Sequence, residues 1–152
     1  MDARRILVPL DGSELAEAAL PVAESLTTGA DTTFVLVRAV EARPTVSEIA
    51  AARWDALADA ERYLQTVADD LRARRVPDVA IAALYGPADA VILEAVGRYE
   101  PDLIVMATSG RSGVRRYVHG SIAETVVRGT PTPVFLVRAN GAAGRRLTRA
   151  CA

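Results

Sequence analysis

The sequence predicts an α/β fold, a five-stranded parallel sheet with helices on both faces. Two observations carry that expectation. Five short runs rich in leucine and β-branched residues recur along the 152-residue chain. They are near-continuously apolar rather than alternating, as in strands covered on both sides. Between them lie segments of helical period, and regular alternation of strand and helix implies parallel strands joined by right-handed crossovers. The length suits one domain, and such a domain buries about 70% of its unfolded surface, so its core needs no staples.

RILVPL (5–10) is the first strand. Asp11-Gly12-Ser13-Glu14 follows, where Asp11 or Ser13 can cap a helix whose apolar positions are Ala16, Ala19, Leu20, Ala23 and Leu26. Pro21 kinks that helix or moves its boundary, and Gly29 is expected to stop it. TTFVLVRAV (32–40) is the second strand. Thr45-Val46-Ser47-Glu48 is a capping-box pattern opening the second helical region, whose stripe of Leu57, Leu64, Val67 and Leu71 runs to about Arg75. DVAIAALY (78–85) is the third strand, followed by a helix from about Ala88 to Arg98 with its exit at Pro101. DLIVMAT (102–108) and TPVFLVRA (132–139) are the last two strands, and the helix between them runs from near Ser121 to near Gly129. One domain is expected over 1–139. The closing segment NGAAGRRLTRACA (140–152) has little periodicity and reads as a mobile tail.

Composition excludes several chemistries. The formal net charge of −1 provides no basic field for nucleic acid. All 18 basic residues are arginine. Without lysine there is no Walker A loop, no Schiff-base nucleophile and no kinase strand lysine. His119 and Cys151 are single representatives of their types, which argues against metal-ligand clusters and a Cys/His nucleophile pair. A disulfide framework is excluded, and the chain fits a reducing cytoplasm. Pro9 and Asp11 interrupt the first apolar run, unlike a signal peptide, and no run nears the ~20 apolar residues of a membrane span. A soluble cytoplasmic protein is expected.

In open α/β sheets, ligands bind beyond the carboxyl ends of the strands, where strand order reverses. Two segments fall there: VPLDGS after the first strand, and the glycine-rich stretch in MATSGRSGVRRYVHGSIAETVVRG (106–129). Ser121 and Glu124 form a second capping-box pattern, Ser-Ile-Ala-Glu. Alternatively, the N–H groups of Gly120, Ser121 and Ile122 cradle a phosphate, with Gly110 letting the backbone approach it. Arg111, Arg115 and Arg116 either add positive charge to such a site or form a solvated face, and His119 is given no role. Asp11 either accepts hydrogen bonds from ribose hydroxyls or caps the first helix. Trp54 and Tyr63 read as packing or interface residues.

RILVPLDGSELAEAAL, DLIVMATSGRSG and HGSIAETVVRGTPTPVFLVR together resemble the universal stress protein family over about residues 4–139. The family's nucleotide signature is G-x-x-G, nine residues, then G-S or G-T. Here RSGVRRYVH separates Gly110 from Gly120-Ser121, and Ala107 stands at the first glycine. If that position requires positive φ or close phosphate approach, the Cβ weakens binding; in ordinary extended backbone it does not. The resemblance implies a Rossmann-like sheet of order 3-2-1-4-5, of the adenine nucleotide alpha hydrolase-like kind, with ATP at the switch point and Mg²⁺ held mainly by its phosphates. It places Asp11 at the ribose, Pro9 and Leu10 beside the nucleoside, and the backbone of Ala39 at adenine. Met106, Ala107 and Gly110 line the loop, and Gly120, Ser121 and Ile122 hold phosphates. It also implies a homodimer through the last strand, Val134, Phe135, Leu136 and Val137, an apolar edge that would otherwise invite aggregation.

The resulting expectation is an ATP-binding stress-response sensor or regulator that acts through its dimer and through protein partners. Two alternatives stand beside it. One is a slow ATPase or self-phosphorylating enzyme, for which no committed general base is visible; the other is a dimeric interaction protein with an empty cleft.

Overall fold

The computed structural model describes residues 4–27, 31–41, 49–74, 76, 78–109 and 120–139. Several expectations lie outside these residues: the stop at Gly29, the capping box at 45–48, the helix end at Arg75, Gly110, Arg111, Arg115, Arg116, His119 and the tail at 140–152. The elements run β1 (Arg5–Pro9), α1 (Glu14–Glu17), α2 (Ala19–Ser25), β2 (Thr33–Val40), α3 (Ile49–Ala73), β3 (Asp78–Tyr85), α4 (Ala88–Tyr99), β4 (Leu103–Ser109), α5 (Gly120–Gly129) and β5 (Val134–Ala139). The five strands form one sheet in the order β3-β2-β1-β4-β5, and every neighbouring pair is parallel.

Alternation along each strand divides the core in two. Ile6, Val8, Phe34, Leu36 and Val105 face Ala19, Leu20, Ala23, Leu64 and Leu71 of α2 and α3. Leu7, Val35, Val37, Ile104 and Met106 face Val91, Ile92 and Ala95 of α4, with Ala123 and Val126 of α5. Right-handed crossovers dictate this split. The connections through α1–α3 progress from β1 toward β3, whereas those through α4 and α5 serve the strands on the other side of β1.

The first helical segment is two short helices rather than one. Ser13 caps α1, its side chain accepting from the Ala16 N–H, and Ala18 separates α1 from α2. Pro21 explains the break. It has no N–H for the carbonyl of Glu17, and its ring crowds that same carbonyl. The second helix ends at Ser25 with Leu26 as its C-cap, ahead of the expected stop. At the far end of the molecule, α4 closes on Glu100 in the left-handed conformation (φ 45°, ψ 58°). Asp102 then accepts from the backbone N–H groups of Arg4 and Arg5 at 3.0 and 2.9 Å, pinning the start of β1 beside β4.

β1 and β4 do not stay paired. Their register covers Ile6–Leu103 and Leu7–Ile104 and then stops. The Asp102 N–H donates to the Arg5 carbonyl, and the Leu10 N–H donates to the Val37 carbonyl. Backbone groups therefore point to β4 at odd positions of β1 and to β2 at even ones. Pro9 is the next odd position and has no N–H to continue the β4 ladder. The strands part there, at the point where strand order reverses, and a crevice opens.

Candidate functional site

A cavity of about 280 Å³ fills this crevice, near the ~300 Å³ lower end of small-molecule sites. Its first wall is Pro9, Leu10 and Asp11 from the end of β1, with Leu15 and Ala16 of α1. Val37, Ala39 and Glu41 form the second, at every other position along β2 and just beyond it. Ala88 and Ile92 come from one turn of α4, and Met106, Ala107 and Ile122 close the side toward β4 and α5.

Seven of the ten residues singled out from sequence thus surround one space: Pro9, Leu10, Asp11, Ala39, Met106, Ala107 and Ile122. Gly120 and Ser121 open α5 beside Ile122. They are the first two residues of that helix. Glu124 ion-pairs with Arg128 one turn on, at 2.8 Å. Ala107 lies in β4, paired with Val137, so its backbone is extended and the Cβ carries no conformational penalty there.

Asp11 holds the loop rather than capping the helix directly. Its Oδ1 accepts from both the N–H and the hydroxyl of Ser13, and Ser13 Oγ in turn accepts from the Ala16 N–H at 3.1 Å. Gly12 adopts φ +86°, a conformation suited to glycine. The Arg38 guanidinium lies beside this glycine: a Cβ at Gly12 would be 3.2 Å from one of its nitrogens. Arg38 also stacks over Tyr63, 4.8 Å from the ring centroid, and Tyr63 donates its hydroxyl to Glu17 at 2.7 Å. Burial pushes the Tyr63 pKa up, and the hydrogen bond to Glu17 adds to the shift. The turn carrying Asp11 is therefore braced from the α3 side.

Leu15, Ala16, Val37, Glu41, Ala88 and Ile92 were not anticipated. The strand period was a usable signal for Val37 and Glu41, two residues either side of Ala39 on the same face. Helical spacing links Ala88 to Ile92, but only the tertiary structure brings α4 to this crevice. Glu41 has a second contact: its Oε1 accepts from the Ala88 N–H at 3.3 Å, where Pro87 offers α4 no side-chain cap.

The model of the universal stress protein family matches residues 3–138. The chain belongs to this family. A universal stress protein of Methanocaldococcus jannaschii is 25% identical over 143 residues, covering 89% of this chain and 82% of the relative. Among solved structures, a universal stress protein in complex with cAMP superposes with a TM-score of 0.73 at 21% identity, covering 92% of this chain and all of the other. A universal stress protein family protein from Arabidopsis thaliana with AMP bound gives 0.66 at 16% identity, with 90% and 92% covered. At those identities the likeness is one of fold. Among the described residues of this universal stress protein, no helix is long and apolar enough to cross a membrane.

Proposed function

We propose that this universal stress protein binds an adenine nucleotide, ATP in particular, and acts as a stress-response sensor or regulator through a homodimer and protein partners. The observation that carries the reading is the crevice beyond Pro9, which combines three complementary features. The N-terminus of α5 at Gly120, Ser121 and Ile122 offers N–H groups that have no acceptor within the helix, and a positive dipole end, to phosphates. Asp11 on the facing wall offers a carboxylate to ribose hydroxyls. The base takes the remaining apolar end, among Val37, Ala39 and Ile92.

Ala39 supplies the base-reading edge. Val37 turns its carbonyl toward β1, where Leu10 donates to it, so by alternation Ala39 turns its N–H and C=O the same way, beyond the end of β1. A donor beside an acceptor matches N1 and the 6-amino group of adenine. Family members bound to cAMP and to AMP agree with this class of ligand. Mg²⁺ is assigned mainly to the phosphates.

The homodimer reading rests on β5. It is an edge strand, and Phe135 and Leu136 are 44% and 47% exposed on its opposite faces. A second copy pairing there would cover both.

Calorimetric titration of nucleotide-stripped protein with ATP and Mg²⁺ tests the ligand. Saturation near one ATP per chain is expected. Absence of binding by calorimetry and by a second method would move the function to protein partners alone.

A further inference from the structure

We propose that Glu41 sets base specificity, selecting a purine with a 6-amino group and rejecting one with a 6-oxo group. The inference rests on the nucleotide reading above and extends it to a residue outside the glycine signature.

Asp11 and Glu41 are the charged side chains among the described residues lining the cavity, and they lie at different places along it. Asp11 is on the β1 wall. Glu41 follows Ala39 by two residues on the same side of β2, beside Ala88 of α4, at the end assigned to the base. Its carboxylate is held there by the Ala88 N–H, which donates to Oε1 at 3.3 Å. An ionised carboxylate only accepts hydrogen bonds, so the group facing it must be a donor.

A 6-amino group carries two hydrogens. With N1 facing the Ala39 N–H, one of them meets the Ala39 carbonyl and the other points away from the Watson–Crick edge, toward Glu41. Both acceptors are then used. A 6-oxo purine in the same pose sets its oxygen against the Ala39 carbonyl and the Glu41 carboxylate. Its N1–H also faces the Ala39 N–H, donor against donor. Guanine and hypoxanthine are disfavoured for the same reason, and an N6-methyl group removes the hydrogen that Glu41 uses. Glu41 thus acts twice, capping α4 and reading the base from the capped position.

The test measures dissociation constants for ATP, N6-methyl-ATP and inosine triphosphate with the wild type, Glu41→Ala and Glu41→Gln. Thermal melting of each variant checks the cap, and taking ligand ratios within one protein cancels any change in folding. The wild type should prefer ATP over both analogues. Glu41→Ala should reduce the preference over inosine triphosphate by about fivefold, the value of one net hydrogen bond. Glu41→Gln should reduce it further, because its amide N–H can donate to the 6-oxygen. Equal ratios in all three proteins overturn the inference and leave the nucleotide site standing. A wild type that binds none of the three overturns the nucleotide reading and Glu41's role together.

Discussion

Tyr63 shows how one side chain couples the outer helix to the turn after β1. Its hydroxyl holds Glu17 of α1, while its ring carries Arg38, whose guanidinium lies against Gly12. Because the Tyr63 pKa is raised in the folded protein, folding favours the neutral phenol. That contribution is complete below the unfolded tyrosine value of about 10 and is lost as pH rises above it. Denaturant unfolding at pH 9 and pH 11 should therefore show a smaller loss of stability for Tyr63→Phe than for the wild type. An identical loss would remove Tyr63 from the alkaline response. Gly120→Val addresses the other wall. A branched side chain at the first residue of α5 occupies the space assigned to phosphate, so ATP affinity should fall by more than tenfold with the circular dichroism spectrum unchanged. Undiminished affinity would separate α5 from the site.

At the scale of elements, β5 has two different faces and an open edge. Val137 packs against the core shared by β1, β2 and α1–α3, and Val134 packs against the other. Phe135 and Leu136 remain largely exposed. Leu136 pairs in register with Met106, which places it on the face of α5, where Val127 is 48% exposed. Charges at Phe135 and Leu136 are therefore compatible with the fold, whereas a charge at Val137 would disturb packing. If β5 forms the proposed homodimer interface, the double variant Phe135→Glu, Leu136→Glu should show a lower light-scattering mass than the wild type. Equal masses would reject β5 as the interface. Apolar runs and helical periods located these elements in the sequence to within a few residues. The split between α1 and α2 was partly legible through Pro21, but its position at Ala18 follows from the Glu17 carbonyl that the proline ring displaces.

For the whole molecule, stability resides in the two apolar layers on either side of the sheet. Leu36 is fully buried between β1 and β3, while Trp54 on α3 is 72% exposed. Leu36→Ala should cost about 2–5 kcal/mol through lost transfer energy and the cavity left behind. Trp54→Ala should stay within about 0.5 kcal/mol, the range of ordinary surface changes. Urea unfolding of both variants measures the contrast, and a Trp54→Ala loss as large as that of Leu36→Ala would mean that α3 covers more apolar surface than its exposure indicates.

Strand and helix order, the parallel class and the glycine-flanked candidate loop were determined by the sequence itself, because periodicity and turn chemistry are local properties. Pro9 carried a further message in the sequence: its missing N–H becomes the reason β1 and β4 separate once their pairing is known. Only the tertiary structure decided what shares the crevice. Glu41 and Ala88 are 47 residues apart in sequence, and Arg38 of β2 meets Gly12 in the turn between β1 and α1. No local pattern records such meetings. They depend on crossover handedness and strand order, which bring the ends of β1, β2 and β4 to the same point before any side chain there can act.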